Sequence, residues 1–206
     1  MAGVFAVRRP AAALVGAVLA LTLLGCTSDE PDPPEKPQAT STALSDFATD
    51  GVSVTRGEFC ARVAPGAVTE ALAGEVADSD TWANGDRTRL ADGVRDVAHE
   101  YGCSWTATDG TVASAWVFAP PVTPAGASAL AKAASRVEGC QPVAGAPAYG
   151  ARSTAVRCGD EIAFHGLFGD AWLSCSVAPV GTADREGLLD RGGRWCVAVA
   201  QAASTD

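Results

Sequence analysis

Six cysteines after residue 59 constrain the fold of this chain more than any other feature. No pair of them has the Cys-x-x-Cys spacing typical of a zinc site, and no histidine stands next to one, so we expect no metal. An even number of cysteines in an exported domain predicts disulfide bonds. The cysteines are Cys60, Cys103, Cys140, Cys158, Cys175 and Cys196.

The amino-terminal residues predict that the chain is exported. Arg8 and Arg9 precede an uncharged apolar run, Pro10 to Leu24, that is short for a membrane span. The run ends in Leu23-Leu24-Gly25-Cys26, which resembles the lipobox of bacterial lipoproteins. This resemblance implies that residues 1–25 form a signal peptide and that Cys26 carries acyl chains, palmitate among them. An ordinary signal peptide or a membrane helix containing a cysteine is the alternative.

Residues 26–54 are predicted to form a disordered tether behind the lipidated cysteine. Four prolines alternate with acidic residues between Thr27 and Gln38. Such a segment buries too little apolar surface to offset the entropy cost of ordering it, and its prolines favour an extended chain. We therefore expect a spacer that holds a domain of residues 55–206 away from the extracytoplasmic face of the cell membrane.

The charge of the chain restricts its partners. The net charge is −9, and loss of Arg8 and Arg9 with the signal peptide makes it −11. This balance argues against nucleic acid and against a polybasic membrane-binding surface. It leaves open cationic ligands, metal ions or basic partner proteins.

The first half of the domain predicts helices followed by a hairpin. Thr55-Arg56-Gly57-Glu58 fits a capping box, and Pro65 suits the first turn of a second helix. Residues 78–86 are predicted to form a polar loop, and residues 90–98 a third helix. Strands are predicted at 103–107 and 111–118 around the Asp109-Gly110 turn, followed by a helix from Thr123 to Gly139.

The second half repeats this order loosely. Residues 141–152 are predicted to form a loop, and strands are expected at 154–158, 161–168 and 172–178. A helical region from 183 to 203 is expected to be interrupted at Gly192-Gly193.

These elements predict an α+β fold with an antiparallel sheet, helices packed on one of its faces, and two loosely repeated helix-hairpin halves. A last helix on the sheet would bring Cys196 beside Cys175, and the first helix would meet Cys103. The number of possible pairings is too large for the sequence alone to choose. The set we favour is Cys60–Cys103, Cys140–Cys158 and Cys175–Cys196.

Three landmarks resemble a family of actinobacterial cell-envelope lipoproteins of unknown function. They are the stretch from Phe59 to Val68, Cys103-Ser104-Trp105, and the stretch from Trp195 to Ala200. In fold, this group is similar to the extracellular sensor domains of mycobacterial receptor kinases. The resemblance implies a disulfide-bonded α+β module with a cleft, in which Cys140 and Cys158 are additions to the usual four cysteines. It supplies no catalytic residue.

Catalytic and metal-binding patterns are weak in this sequence. Nucleophile and phosphate-binding motifs are absent, and no cofactor is expected. Glu161 and His165 would share one face of a strand, but without a nucleophile nearby in sequence a pair of exposed side chains explains them better than a general base does. Asp78-Ser79-Asp80 starts like a calcium loop, yet Trp82 and a missing glycine break the pattern. We expect no enzyme.

Tryptophans on the predicted strands suggest a binding surface. Most of the five tryptophans would be core residues, because a small domain needs large side chains to bury area. We expect Trp116, Phe164 and Trp172 to line an open sheet face or groove for a small apolar or glycan-like ligand. The predicted function is ligand binding by a lipid-anchored, sensor-like envelope protein, and the alternatives are an assembly factor that binds an envelope protein and, less favoured, a hydrolase.

Overall fold

A computed structural model describes residues 41–91, 94–181 and 185–204. The predicted signal peptide, Cys26 and the tether up to residue 40 lie outside the described residues. The described residues form three α-helices, α1 (Pro65–Leu72), α2 (Pro124–Ala134) and α3 (Arg185–Ala203), and short 3-10 turns at Leu44–Asp46 and Cys60–Arg62. The strands are β1 (Val76–Trp82), β2 (Arg87–Ala91), β3 (Val94–Val97), β4 (Glu100–Ala107), β5 (Val112–Phe118), β6 (Cys140–Pro142), β7 (Ala151–Cys158), β8 (Glu161–Phe168) and β9 (Ala171–Ala178).

Seven of these strands form one antiparallel sheet in the order β1-β4-β5-β9-β8-β7-β6. Strands β2 and β3 form a separate two-stranded ribbon. The two long hairpins follow the predicted turns, because Gly110 and Gly169 take the positive φ that such turns require. The predicted α+β class with an antiparallel sheet is confirmed.

Helices α1 and α3 cover one face of the sheet. Trp195 of α3 packs edge-on against Trp105 of β4 with ring centroids 5.3 Å apart. Its Nε1 donates a hydrogen bond to the carbonyl oxygen of Ser114 at 3.0 Å, so the buried indole has no unpaired donor. This layer holds the main core.

Helix α2 lies on the opposite face, contrary to the expectation that all helices share one face. Its Ala127 is fully buried against Leu167 and Trp172. Strand β8 is buried on both sides, at Ile162 and Phe164 as well as at Ala163 and Leu167. A strand that is apolar on both faces needs cover on both, and α2 supplies the second. The order hairpin-then-helix does occur twice, but the two helices pack on different sides.

All three disulfide bonds have the favoured pairing. Cys60–Cys103 ties the turn before α1 to β4, and Cys175–Cys196 ties β9 to α3. Cys140–Cys158 closes the edge pair β6–β7. Disulfide bonds therefore link both α3 and the turn before α1 covalently to the sheet.

Five local predictions are wrong. The first helix predicted after the Thr55–Glu58 capping box is only the 3-10 turn Cys60–Arg62. In the predicted helix 90–98, residues 90–91 belong to β2 and residues 94–97 to β3, and β1 occupies much of the predicted 78–86 loop. The loop predicted at 141–152 includes the end of β6 and the start of β7. Helix α3 runs unbroken through Gly192-Gly193, because these glycines serve close packing. A Cβ on Gly192 would lie 2.6 Å from Cγ2 of Ile162, and one on Gly193 would lie 3.1 Å from Cβ of Leu44.

The folded domain begins earlier than the predicted boundary at residue 55. Leu44 is 4 % exposed in the main core, and Val54 pairs with Ser204 in an isolated bridge. The Ser41 hydroxyl donates a hydrogen bond to Oε1 of Glu70 at 2.7 Å. Residues 41–54 therefore belong to the domain, since Leu44 contributes apolar burial that a free tether lacks. Within the described residues, no helix combines the length and apolarity that crossing a membrane requires.

Candidate functional site

A groove of about 420 Å³ lies at the end of the sheet where β1 finishes and β4 begins. One wall is the segment from Glu58 to Arg62, and the other is the stretch from Thr81 to Asp86. Tyr101 and Gly102 of β4 also line it. Its volume falls within the range of about 300–1,000 Å³ common for small-molecule sites.

Trp82 is held in the wall of this groove by two neighbours. It faces Gly102 across β1 and β4, and its indole occupies the space that a side chain at that position would fill. A Cβ on Gly102 would lie 2.3 Å from Cζ2 of the indole. On the ring's polar edge, Nε1 donates a hydrogen bond to Oε1 of Glu100 at 3.1 Å. The indole is therefore positioned before any ligand arrives.

Glu100 is a partly buried carboxyl group. Burial raises its pKa above the usual range, and the hydrogen bond from Trp82 opposes that shift as the smaller effect. The carboxylate thus depends on the indole N–H for compensation, which couples the protonation of Glu100 to the position of Trp82.

Charged residues of both signs line the groove. The Arg62 Nε donates to the carbonyl oxygen of Ala202 at 2.6 Å, and its Nη1 donates to that of Glu58 at 3.1 Å. The Asp86 Oδ2 accepts a hydrogen bond from the Ala83 N–H at 2.8 Å. Glu58 and Asp86 supply carboxylate oxygens, and the guanidinium of Arg62 supplies donors that are oriented by the backbone.

Trp116 lies in the same cross-strand row as Trp82. The sheet register places Trp82, Gly102 and Trp116 side by side on one face. Both tryptophans are partly exposed, and Trp116 stacks on Phe118 with ring centroids 5.1 Å apart. The predicted binding residue Trp116 therefore shares a sheet face with Trp82, although it is not one of the residues that line the groove.

The other two predicted binding residues do not join this surface. Phe164 is 1 % exposed and lies on the opposite face, beneath α3, where a Cβ on Gly192 would lie 3.5 Å from its ring. Successive residues of a strand point to opposite faces, which separates Phe164 from its neighbour His165. Trp172 shares the face of Trp116 but is 2 % exposed, because α2 covers it. Both residues are core residues.

His165 makes a contact that the sequence analysis did not anticipate. Its Nδ1 lies 2.7 Å from Oγ of Ser174 on the adjacent strand. Its ring is nearly parallel to that of Trp172, with centroids 6.2 Å apart. Burial lowers the pKa of His165 to about 4, so the imidazole is neutral at pH 7. Ser174 is only 1 % exposed, and its hydrogen bond with His165 satisfies the buried hydroxyl.

The remaining candidate residues are not assembled into a site. Asp78 and Asp80 lie on the extended strand β1 and not in a calcium-binding loop. Glu161 is the first residue of β8 and lies opposite Cys158. It shares a sheet face with His165 but is four residues away along the strand. Over the described ranges, no group of three His, Cys, Asp or Glu residues is placed to hold a metal ion.

Sequence reasoning missed the groove because it assigned Trp82 to a loop. A usable signal was present: Asp78, Asp80 and Trp82 alternate with Ala77, Ser79 and Thr81 immediately before the Asn84-Gly85 turn. That period of two predicts a strand with Trp82 at its end. The contribution of residues 58–62 from a distant part of the chain has no local signal.

The chain matches no family model, and neither a curated protein nor a solved structure matches it.

Proposed function

We propose that this chain is a lipid-anchored extracytoplasmic binding protein whose groove holds a small glycan-like ligand. The observation that carries the proposal is a groove whose lining includes Trp82, with its indole held in place, together with the charged residues Glu58, Arg62 and Asp86. The lipobox-like Cys26 and the acidic, proline-rich segment behind it support the anchored location.

The groove has the mixed chemistry that a sugar requires. A pyranose ring has an apolar C–H face that packs on an indole, and hydroxyl groups around its edge that both donate and accept hydrogen bonds. Glu58 and Asp86 can accept from such hydroxyls, and Arg62 can donate to them. The Trp116 ring in the same row offers a second stacking position, which suits a ligand of more than one sugar unit.

Binding fits the structure better than catalysis does. The groove contains two carboxylates, Glu58 and Asp86, and within the described residues neither is hydrogen-bonded to a nucleophile or a base. The hydrogen-bonded pair of Ser174 and His165 joins a buried hydroxyl to an imidazole that is not part of the groove. We therefore assign the groove a recognition role.

Saturation-transfer NMR with chito-oligosaccharides and with a neutral galactan fragment tests this proposal. We expect transfer from the protein to one of these probes in the native chain, and loss of that transfer in Trp82→Ala and in the double variant Glu58→Gln/Asp86→Asn. The double variant Asp50→Asn/Glu138→Gln removes two exposed charges away from the groove and is the matched control. Binding that survives Trp82→Ala, or no binding of either probe, would contradict the proposal.

A further inference from the structure

Strand β1 is an open edge of the seven-stranded sheet. It pairs with β4 on one side, and within the described residues no strand pairs with its other side. Six of its seven residues, 76–81, are exposed. A strand of this length presents a row of outward-facing N–H and C=O groups that can accept another extended segment.

The opposite edge of the sheet is not equivalent. Strand β6 has three residues, ends in Pro142 and is tied to its neighbour by the Cys140–Cys158 disulfide. A proline lacks the N–H needed to pair with an added strand. Shortness and proline are common ways of protecting a sheet edge, and β1 has neither.

Acidic side chains make β1 a poor partner for another acidic strand. Glu75, Asp78 and Asp80 lie on or next to the strand, and residues 75–82 contain no Lys, Arg or His. In an antiparallel pair of two β1 strands centred on Ser79, each Asp78 would oppose the Asp80 of the other copy. Like charges directly opposite one another are destabilising, so a second copy of this chain is a poor occupant.

We propose that the outer edge of β1 binds an extended basic segment of a partner protein by strand addition. The Ser79 N–H donates a hydrogen bond to Oδ1 of the neighbouring Asp78 at 2.9 Å. A carbonyl oxygen of an incoming strand would take over that N–H, and the carboxylate would then be free to pair with a lysine or arginine of the same strand. This surface is a second binding site that meets the groove only at Thr81 and Trp82, where β1 ends.

Two synthetic peptides test the assignment against the intact domain. One alternates lysine with threonine over eleven residues, and the other has glutamate in place of each lysine. Hydrogen exchange followed by NMR should show that the lysine peptide protects the amides of Ser79 and Thr81 and that the glutamate peptide does not. The affinity for the lysine peptide should fall with rising salt concentration, because the charges on β1 are exposed.

Two variants separate the backbone contribution from the charge contribution. Ser79→Pro removes the outward donor and should abolish protection at Thr81. Asp78→Asn/Asp80→Asn keeps the backbone and should weaken binding about fivefold, as expected for two exposed ion pairs. Asp46→Asn/Asp50→Asn removes the same number of exposed charges elsewhere and should bind like the native chain. Near-UV circular dichroism checks the fold of the proline variant, and the asparagine variant tests the proposal if that fold is lost.

Three results would overturn the assignment. Equal binding of both peptides would show that charge does not select the partner. Protection confined to residues outside β1 would place the contact elsewhere. A dimer of the native chain that Ser79→Pro dissociates would make a second copy the occupant. Ligand binding in the groove is measured separately with Trp82→Ala, so failure of either proposal leaves the other standing.

Discussion

The indole of Trp82 lies directly over Gly102, its partner across β1 and β4. A methyl group on Gly102 would overlap the ring, since its carbon would lie 2.3 Å from Cζ2 and 2.9 Å from Nε1. The ring can move only by giving up the hydrogen bond from its Nε1 to Glu100. The shape of the groove therefore requires a glycine at position 102.

Replacing Gly102 with alanine should therefore displace Trp82 and impair the groove. In an ordinary strand position the change from glycine to alanine would stabilise the chain by about 0.5–1 kcal/mol, whereas overpacking costs about 1–3 kcal/mol. We expect the second effect to exceed the first and the free energy of unfolding to fall by about 1 kcal/mol in urea titrations. Gly66→Ala is the matched control, because nothing lies within 4 Å of its Cβ position. An unchanged tryptophan fluorescence spectrum in Gly102→Ala would contradict the described packing.

The buried imidazole of His165 should make stability depend on pH in a defined window. Its pKa is about 4 in the folded domain and 6.5 when unperturbed. Between these values the unfolded chain binds a proton that the folded domain does not, so stability falls as the pH falls from about 6.5 to about 4. The loss reaches about 3 kcal/mol at the lower end of the window.

The variant His165→Gln should lack this component of the pH dependence. Urea unfolding at several pH values measures it, and His99→Gln, at an exposed position, is the control. Parallel pH profiles for the native chain and His165→Gln would show that the imidazole is not buried in the neutral form.

The hairpins were predictable because their signals are local. Alternation of side chains and the glycines of Asp109-Gly110 and Gly169-Asp170 define β4–β5 and β8–β9 within a few residues. The same local analysis misassigned residues 90–98, where apolar spacing suggests a helix although Asp92-Gly93, a dipeptide typical of hairpin turns, stands in the middle. Two short strands around a turn can share the apolar spacing of one helix.

The binding surface was harder to predict because it depends on register and on distant segments. The alternation of side chains along a strand is enough to place Phe164 and His165 on opposite faces of the sheet. Whether Trp172 is accessible depends on the face that α2 covers, and the sequence of α2 does not encode that choice. The groove requires residues 58–62 to lie against the end of β1, and only the tertiary fold brings them together.

Two disulfide bonds of similar loop length should contribute differently to stability. The Cys140–Cys158 and Cys175–Cys196 bonds span 18 and 21 residues, so restriction of the unfolded chain is worth about 3 kcal/mol for each. Cys175 and Cys196 are buried, whereas Cys140 and Cys158 are partly exposed. Replacing the buried pair with alanine also leaves a cavity.

The variant Cys175→Ala/Cys196→Ala should therefore be less stable than Cys140→Ala/Cys158→Ala, by about 1 kcal/mol or more. Urea unfolding of both variants against the native chain measures the difference. Equal losses would mean that loop closure alone accounts for both bonds. A greater loss in the edge variant would show that the β6–β7 pair, and not the attachment of α3, limits the stability of the sheet.

Membrane anchoring should depend on Cys26 alone. If its thiol carries the acyl chains, Cys26→Ala removes the apolar anchor and leaves an acidic chain with little affinity for an anionic bilayer. We expect the native chain to partition into Triton X-114 detergent and the variant to remain in the aqueous phase when both are expressed in an actinobacterium. Ser28→Ala, two residues further on, is the matched control and should partition like the native chain. Retention of Cys26→Ala in the detergent phase at its uncleaved mass would instead indicate that the apolar run before residue 25 anchors the chain as a membrane helix.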